Sequence, residues 1–302
     1  MTPLRVLVTG STGFVGSALV PVLSASGHRI GRLVRTLPRK GKGEIQWGPE
    51  TGFIDAPRLE AMDGVVHLAG ENIASDRWTA EKKAKIRDSR VDGTRLLSDA
   101  LAGLKQPPKV LVCASAIGYY GDRGDELLTE DSAPGTGFLA EVCREWEAAT
   151  KSAEDKGIRV VRLRFGMVLS PTGGAMAKLL PPFKKGLGGV LGTGRQYVSW
   201  ITLDDLVGVI VHVLTTEALQ GPVNAVTPNP VTNRELTRTL GRLLGRFTIF
   251  PMPAAAAHLV FGEMADEVLL ASQRVQPARL LTTGYDFRYP ELEGALQHLL
   301  AA

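Results

Sequence analysis

The chain has 302 residues, 44% of them apolar and 22% charged, enough for one large domain or two unequal ones sharing a core. A formal charge of +4 is mild and argues against a dedicated nucleic-acid binder, which usually shows a clustered basic face. Cys113, Cys143 and five scattered histidines lack metal-ligand spacing, so reduced core thiols and no metal site are expected, and no apolar run approaches the ~20 residues that span a bilayer.

In chain order, short runs rich in Val, Leu and Ile recur at 4–9 (LRVLVT), 28–34 (HRIGRLV), 64–70 (GVVHLAG), 109–115 (KVLVCAS) and 158–166 (IRVVRLRFG). Amphipathic helical patterns lie between them at 79–104 and 138–156. Strands buried on both faces read as continuous apolar runs, and their alternation with helices predicts an α/β fold with a parallel, doubly wound sheet of Rossmann type. The chain enters an apolar strand within a few residues of its start, which leaves no room for a signal peptide, so a cytoplasmic location is expected.

After residue 166 the rhythm changes. Residues 170–195 are dense in Gly, Pro and Lys and read as a helix plus a loop. YVSWI then reads as a short strand, LDDLVGVIVHVLT as a helix and PVNAV as one more strand. From Thr232 onward the pattern is helical. Two lobes are therefore expected. A nucleotide-binding domain takes 1–166 plus about 197–226, and a smaller, mainly helical substrate-side lobe takes about 167–196 plus 227–302.

The stretch VLVTGSTGFVGSALVPVL at 6–23 predicts strand, turn and helix, with Gly10, Gly13 and Gly16 in a G-x-x-G-x-x-G spacing. Such glycines let the backbone approach a pyrophosphate, which then sits on the positive N-terminal end of the helix. NAD-specific folds place a carboxylate at the end of the second strand to hold the ribose hydroxyls. Here that strand ends in Val34-Arg35, followed by the basic loop RTLPRKGK (35–42). A guanidinium suits a 2′-phosphate, so NADP is the expected cofactor, with Arg39 and Lys40 reinforcing Arg35.

With TGSTGFVG, HLAG, RVDGTRLL and CASAIGYYGD in this order, the chain resembles the extended short-chain dehydrogenase/reductases of the NAD-dependent epimerase/dehydratase superfamily. GENI (70–73), EWEAA (145–149), GGAM (173–176), PPFKKGLGG (181–189), VSWITLDDLV (198–207) and TPNPVTNREL (227–236) are similar to its "epimerase family", sugar-nucleotide epimerase-like branch, which carries a C-terminal domain of unknown function. The resemblance spans essentially the whole chain. It implies that Gly10, Ser11, Thr12, Gly13, Phe14, Val15 and Gly16 surround the pyrophosphate. It sets Val34 and Arg35 at the adenosine ribose and Leu68, Ala69 and Gly70 along the cofactor. Arg90 falls where many relatives carry an asparagine, so the resemblance implies that it faces the cofactor too.

The superfamily's Tyr-x-x-x-Lys pair and its serine are missing. The corresponding segment, TGFLAEVCREWEAA at 136–149, holds neither tyrosine nor lysine, and the usual serine position is Ala116. Ser115 is one residue off, which in an extended segment turns its side chain to the opposite face. Candidates for replacement chemistry are Ser115, Tyr119 and Glu71, the last either a general acid/base or a polar anchor. Substrate contacts are expected from Glu71, Asn72, Tyr120, Phe183 and Trp200; packing of the loop is the favoured alternative for Tyr119 and Tyr120, and Asp204 reads as a helix cap. The expected function is an NADP(H)-binding oxidoreductase or epimerase-like protein acting on a hydroxyl or carbonyl of a small, sugar-nucleotide-like substrate. The alternative is a non-catalytic NADP-binding sensor or an assembly or division factor. A monomer or a homodimer paired through the helices at 79–104 and 138–156 fits either reading.

Overall fold

The computed structural model describes residues 3–301. The eight strands of the central sheet are β1 (Arg5–Thr9), β2 (Arg29–Val34), β3 (Glu44–Gly48), β4 (Phe53–Ile54), β5 (Gly64–His67), β6 (Val110–Ala116), β7 (Arg159–Phe165) and β8 (Gly221–Ala225). Their spatial order is β8-β7-β6-β5-β1-β2-β3-β4. Strand β1 pairs in parallel with β2 and β5, β2 with β3 and β5 with β6, and β3 pairs antiparallel with β4. From β1 the chain fills one side with β2 and β3 and then crosses to β5 and β6. The reversal at β1/β5 is the switch point outside which ligands of open α/β sheets bind. This is the Rossmann-type arrangement that the apolar runs predicted.

Local chemistry sets the helices around it. Helix α1 (Phe14–Ala25) follows the glycine turn directly. Helix α2 (Ala80–Ala102) starts at Thr79, whose hydroxyl accepts the Lys82 N–H at 3.2 Å, with Glu81 in the first turn to complement the helix dipole. Ile86, Thr94, Leu97 and Leu101, spaced three, four or eight apart, form its buried stripe. The helical pattern at 138–156 is two helices, α3 (Phe138–Ala148) and a short one over Lys151–Asp155.

Two compact units divide the chain. The first runs to Ser115 and adds Val142–Leu163 and Ile210–Val223; the second comprises Ala116–Glu141, Arg164–Val209 and the chain from Asn224 onward. Leu7, Leu33, Ile45, Val65, Leu111 and Val160 from the strands pack with Leu97 and Leu101 of α2 as the first unit's core, each 5% exposed or less. Burial of this depth is worth about 1.5–3 kcal/mol per large aliphatic side chain. The second unit has its own core of Leu169, Met176, Leu180, Phe183, Trp200, Leu236, Leu240, Leu296 and Leu299. Helices Gly174–Lys184, Asn233–Leu243 and Leu292–Ala301 supply most of it. Among the described residues no helix is long and apolar enough to cross a membrane.

Candidate functional site

The glycine turn is built as a cradle. Gly10 has φ +63°, and a Cβ there would lie 2.8 Å from the carbonyl carbon of Leu68, so both its conformation and its neighbour demand glycine. A Cβ on Gly16 would meet the Gly10 carbonyl oxygen at 2.2 Å, so this glycine lets α1 close onto the turn. Gly13 donates its N–H to the Gly10 carbonyl at 2.9 Å and caps α1 without any side-chain cap or first-turn carboxylate. The N–H groups of Phe14, Val15 and Gly16 have no acceptor within the helix. They and the positive end of its dipole face the turn tip, where Thr12 and Gly13 are exposed and Ser11 is buried. The donor set fits a pyrophosphate.

At the end of β2, Val34 is half-buried and Arg35 is exposed. Arg35 lines an open depression of about 530 Å³ with Gln46, Trp47, Gly48, Pro49, Glu50, Thr51 and Phe53. No described carboxylate forms an ion pair with it. Arg39 differs. Its Nε and backbone N–H donate to Glu44 at 2.9 and 2.8 Å, and the guanidinium holds the Glu44 carboxyl down at about 2. Arg39 therefore pins the basic loop to β3, with its guanidinium engaged by Glu44.

The other wall of the cradle is Leu68–Gly70. Here β5 ends at His67, earlier than the apolar run predicted, because the Leu68 and Ala69 N–H groups turn to Thr9 Oγ1, both at 3.1 Å. Glu71 and Asn72 follow. The Glu71 N–H donates to Ser89 Oγ at 3.0 Å, and its carboxylate accepts from Lys82 Nζ at 2.5 Å. Lys82 is 7% exposed and also donates to Ser75 Oγ at 2.6 Å. Asn72 is exposed and its Oδ1 accepts the Ala74 N–H at 2.9 Å, an Asx turn. Beneath Gly70 lies Arg90, with its guanidinium carbon 5.1 Å from the centre of the Trp146 ring.

The remaining candidates are tied up elsewhere. Ser115 is buried and donates to Glu147 Oε1 of α3 at 2.7 Å. In the second unit Tyr120 is fully buried. Its hydroxyl bonds Arg164 at 2.9 Å, Asn224 at 2.8 Å and the Thr129 carbonyl at 2.9 Å, and burial pushes the phenol up to about 12. Tyr119 is half-buried, with the Arg164 guanidinium 3.5 Å from its ring centre. Phe183 and Trp200, 5% and 0% exposed, belong to the second unit's core, and the Trp200 indole donates to the Asn229 carbonyl at 3.1 Å. That burial leaves neither ring surface for a ligand. Helix Leu203–Thr215 is capped by Thr202, whose Oγ1 accepts the Asp205 N–H at 3.1 Å. Buried Asp205 accepts the Arg288 and Tyr289 N–H groups, so it, rather than Asp204, is the structural aspartate; Asp204 pairs with His298 at 3.0 Å.

Several residues of this architecture escape sequence reasoning. Lys82 looks like Lys83 and Lys85 in the run EKKAK, and only the fold buries it. Glu267 receives the Phe138 and Leu139 N–H groups at 3.1 Å each, capping α3 from more than 120 residues away. Thr9 and Thr94 carried one weak signal, a threonine inside an apolar run or stripe.

Residues 6–225 match the NAD dependent epimerase/dehydratase family model, and 252–299 match a domain of unknown function, DUF1731. The epimerase family protein Mb2239 of Mycobacterium bovis is 44% identical over 291 residues, 96% of each chain. A crystal structure of human epimerase family protein SDR39U1 with NADPH superposes with a TM-score of 0.90 at 37% identity, covering 99% of both chains. A nucleoside-diphosphate sugar epimerase from Corynebacterium glutamicum gives 0.82 at 39% identity, covering 99% of this chain and 58% of that one. By the glycine turn, the sheet order and these matches, the chain belongs to the NAD dependent epimerase/dehydratase family.

Proposed function

We propose that this protein binds NADP(H) and acts as an oxidoreductase or epimerase-like enzyme on a hydroxyl or carbonyl of a small molecule. The observation that carries the reading is Arg35, exposed at the end of β2 without an ion-pair partner among the described residues, in the position where an NAD-specific fold needs a carboxylate. The human relative crystallised with NADPH supports it, and the name of the Corynebacterium relative favours a sugar nucleotide as substrate class.

When bound, the nicotinamide supplies or takes hydride. This chain's residues bind and orient it. The N–H groups of 14–16 hold the pyrophosphate, Arg35 the 2′-phosphate, and Leu68–Gly70 line the remainder. Glu71 is the group available to hold or move a proton at a substrate oxygen, with Lys82 fixing its carboxylate at Oε1.

Titration of wild type and Arg35→Ala with NADPH and NADH tests the reading. NADPH is expected to bind at least about tenfold tighter than NADH, with Arg35→Ala erasing a preference of about 1.4 kcal/mol or more. If neither nucleotide binds, the reading is overturned. A second reading, a nucleotide-binding protein without turnover, is favoured by the engagement of the Ser115 and Tyr120 hydroxyls in internal hydrogen bonds. NADPH oxidation with a panel of carbonyl compounds, lost in Glu71→Gln while the nucleotide still binds, separates the two.

A further inference from the structure

Arg90 is half-buried at the carboxyl end of β5 and uses only one edge of its guanidinium. Its Nη1 donates to the Ile86 carbonyl of its own helix at 3.0 Å. Nε and Nη2, the parallel pair along the other edge, make no hydrogen bond to any described residue. The same Nε/Nη2 edge elsewhere in this chain grips carboxylates. Arg39 presents it to Glu44, and Arg123 presents it to Glu126 at 2.8 and 2.7 Å. The Arg123 pair is bidentate, one carboxylate oxygen to each nitrogen, whereas Arg39 brings both nitrogens onto Glu44 Oε1; the fork suits a carboxylate or a phosphate.

The surroundings hold Arg90 still while leaving that edge open. The Trp146 ring stacks on one side, and its indole N–H is fixed by Thr94 Oγ1 at 2.9 Å. Gly70 is a second neighbour, where a Cβ would come within 3.4 Å of the guanidinium carbon, so a larger residue would cover it. The nearest carboxylate, Glu71, is bonded to Lys82. A desolvated guanidinium without a carboxylate partner is costly unless something completes it.

We propose that the Nε/Nη2 edge of Arg90 is an anchor for an oxyanion, carboxylate or phosphate, of a bound small molecule. The substrate is its natural source, since the glycine turn already serves the dinucleotide's pyrophosphate. The substrate assignment rests on the NADP(H) reading; the anchor itself does not.

The test uses the full chain with oxalate as probe, followed by line broadening of its 13C signal, beside calorimetric titration with NADP+ and with 2′,5′-ADP, which lacks the nicotinamide half. Wild type is expected to bind oxalate. Arg90→Gln should weaken it at least about tenfold, and Arg90→Lys, which keeps the charge but not the fork, should weaken it nearly as much. Gly70→Val, which covers the guanidinium without removing it, should do the same in a protein that melts normally. NADP+ affinity unchanged in Arg90→Gln assigns the anchor to the substrate. Weakened NADP+ with unchanged 2′,5′-ADP assigns it to the nicotinamide half of the cofactor and overturns the substrate assignment. If Arg90→Gln alters neither oxalate nor nucleotide binding, the anchor itself is overturned. Arg90-dependent oxalate binding in a protein that binds no nucleotide would sustain the anchor while the cofactor reading fails.

Discussion

Thr9 donates its only hydroxyl proton to Nδ1 of His67, 2.7 Å away, because its oxygen already accepts the N–H groups of Leu68 and Ala69. That fixes the imidazole as the neutral Nε2–H tautomer, which donates to Thr94 Oγ1 at 3.0 Å. Two threonines and a histidine thus set the turn from which Gly70 and Glu71 project.

Acid should undo this arrangement. Complete burial lowers His67 from the ordinary 6.5 to about 4, so between those values the unfolded chain binds a proton that the folded chain refuses. The stabilisation is full above pH 6.5 and is lost progressively as pH falls toward 4, in total roughly 3 kcal/mol. Denaturant melts of wild type and His67→Gln from pH 7 to 4.5 should show the steeper decline in wild type. Parallel declines would reject the neutral tautomer.

Closing α1 onto the turn leaves no room at Gly16. Gly16→Ala should lower stability by about 1–3 kcal/mol and weaken NADPH binding together, since its methyl group and the Gly10 carbonyl claim the same space. Thermal melting with and without NADPH reads both effects, and an unchanged melting temperature would contradict the packing.

Arg39→Ala is the counterpart of Arg35→Ala. It releases the loop from Glu44, so the carboxyl of Glu44 should return toward its ordinary range while discrimination between NADPH and NADH persists. NMR titration of the carboxyl carbon and nucleotide affinities measured on the same variant check the two halves. Lost discrimination would make Arg39 a cofactor residue after all.

Removing the buried phenol of Tyr120 should strand part of Arg164 and Asn224. Tyr120→Phe is expected to cost about 1–3 kcal/mol in stability without changing NADPH affinity. Tyr119→Phe, at a half-buried ring whose stacking on Arg164 is unaffected, should cost far less. Equal losses in chemical denaturation would show that the network is not what holds Tyr120.

How much of this was legible beforehand depended on how local the cause was. The apolar runs fixed the strands because burial on both faces requires unbroken apolar sequence, and the glycine spacing fixed the turn because only glycine tolerates the Gly10 conformation and the Gly16 contact. The absence of a tyrosine and lysine at 136–149 was equally plain from the sequence. Strand β3 is not legible in the sequence, since EIQWG is short and carries two polar residues, of which Glu44 is buried and bonded to Arg39. Phe183 and Trp200 read as possible cleft walls, but an aromatic beside glycines or aspartates looks the same whether its ring meets solvent or a core. Only the packing of three helices decided for the core.

The sequence by itself therefore determined the backbone chemistry of nucleotide binding, which rests on contacts within a few residues. The tertiary structure alone decided which charges are spent and which are left to recognise a ligand. Arg39, Lys82 and Arg123 are bound to Glu44, Glu71 and Glu126, whereas Arg35 and the open edge of Arg90 form no ion pair with a carboxylate among the described residues. An ion pair costs or stabilises according to where its partner is folded, and for Lys82 that partner lies outside its helix, across a loop that no periodicity in the chain records.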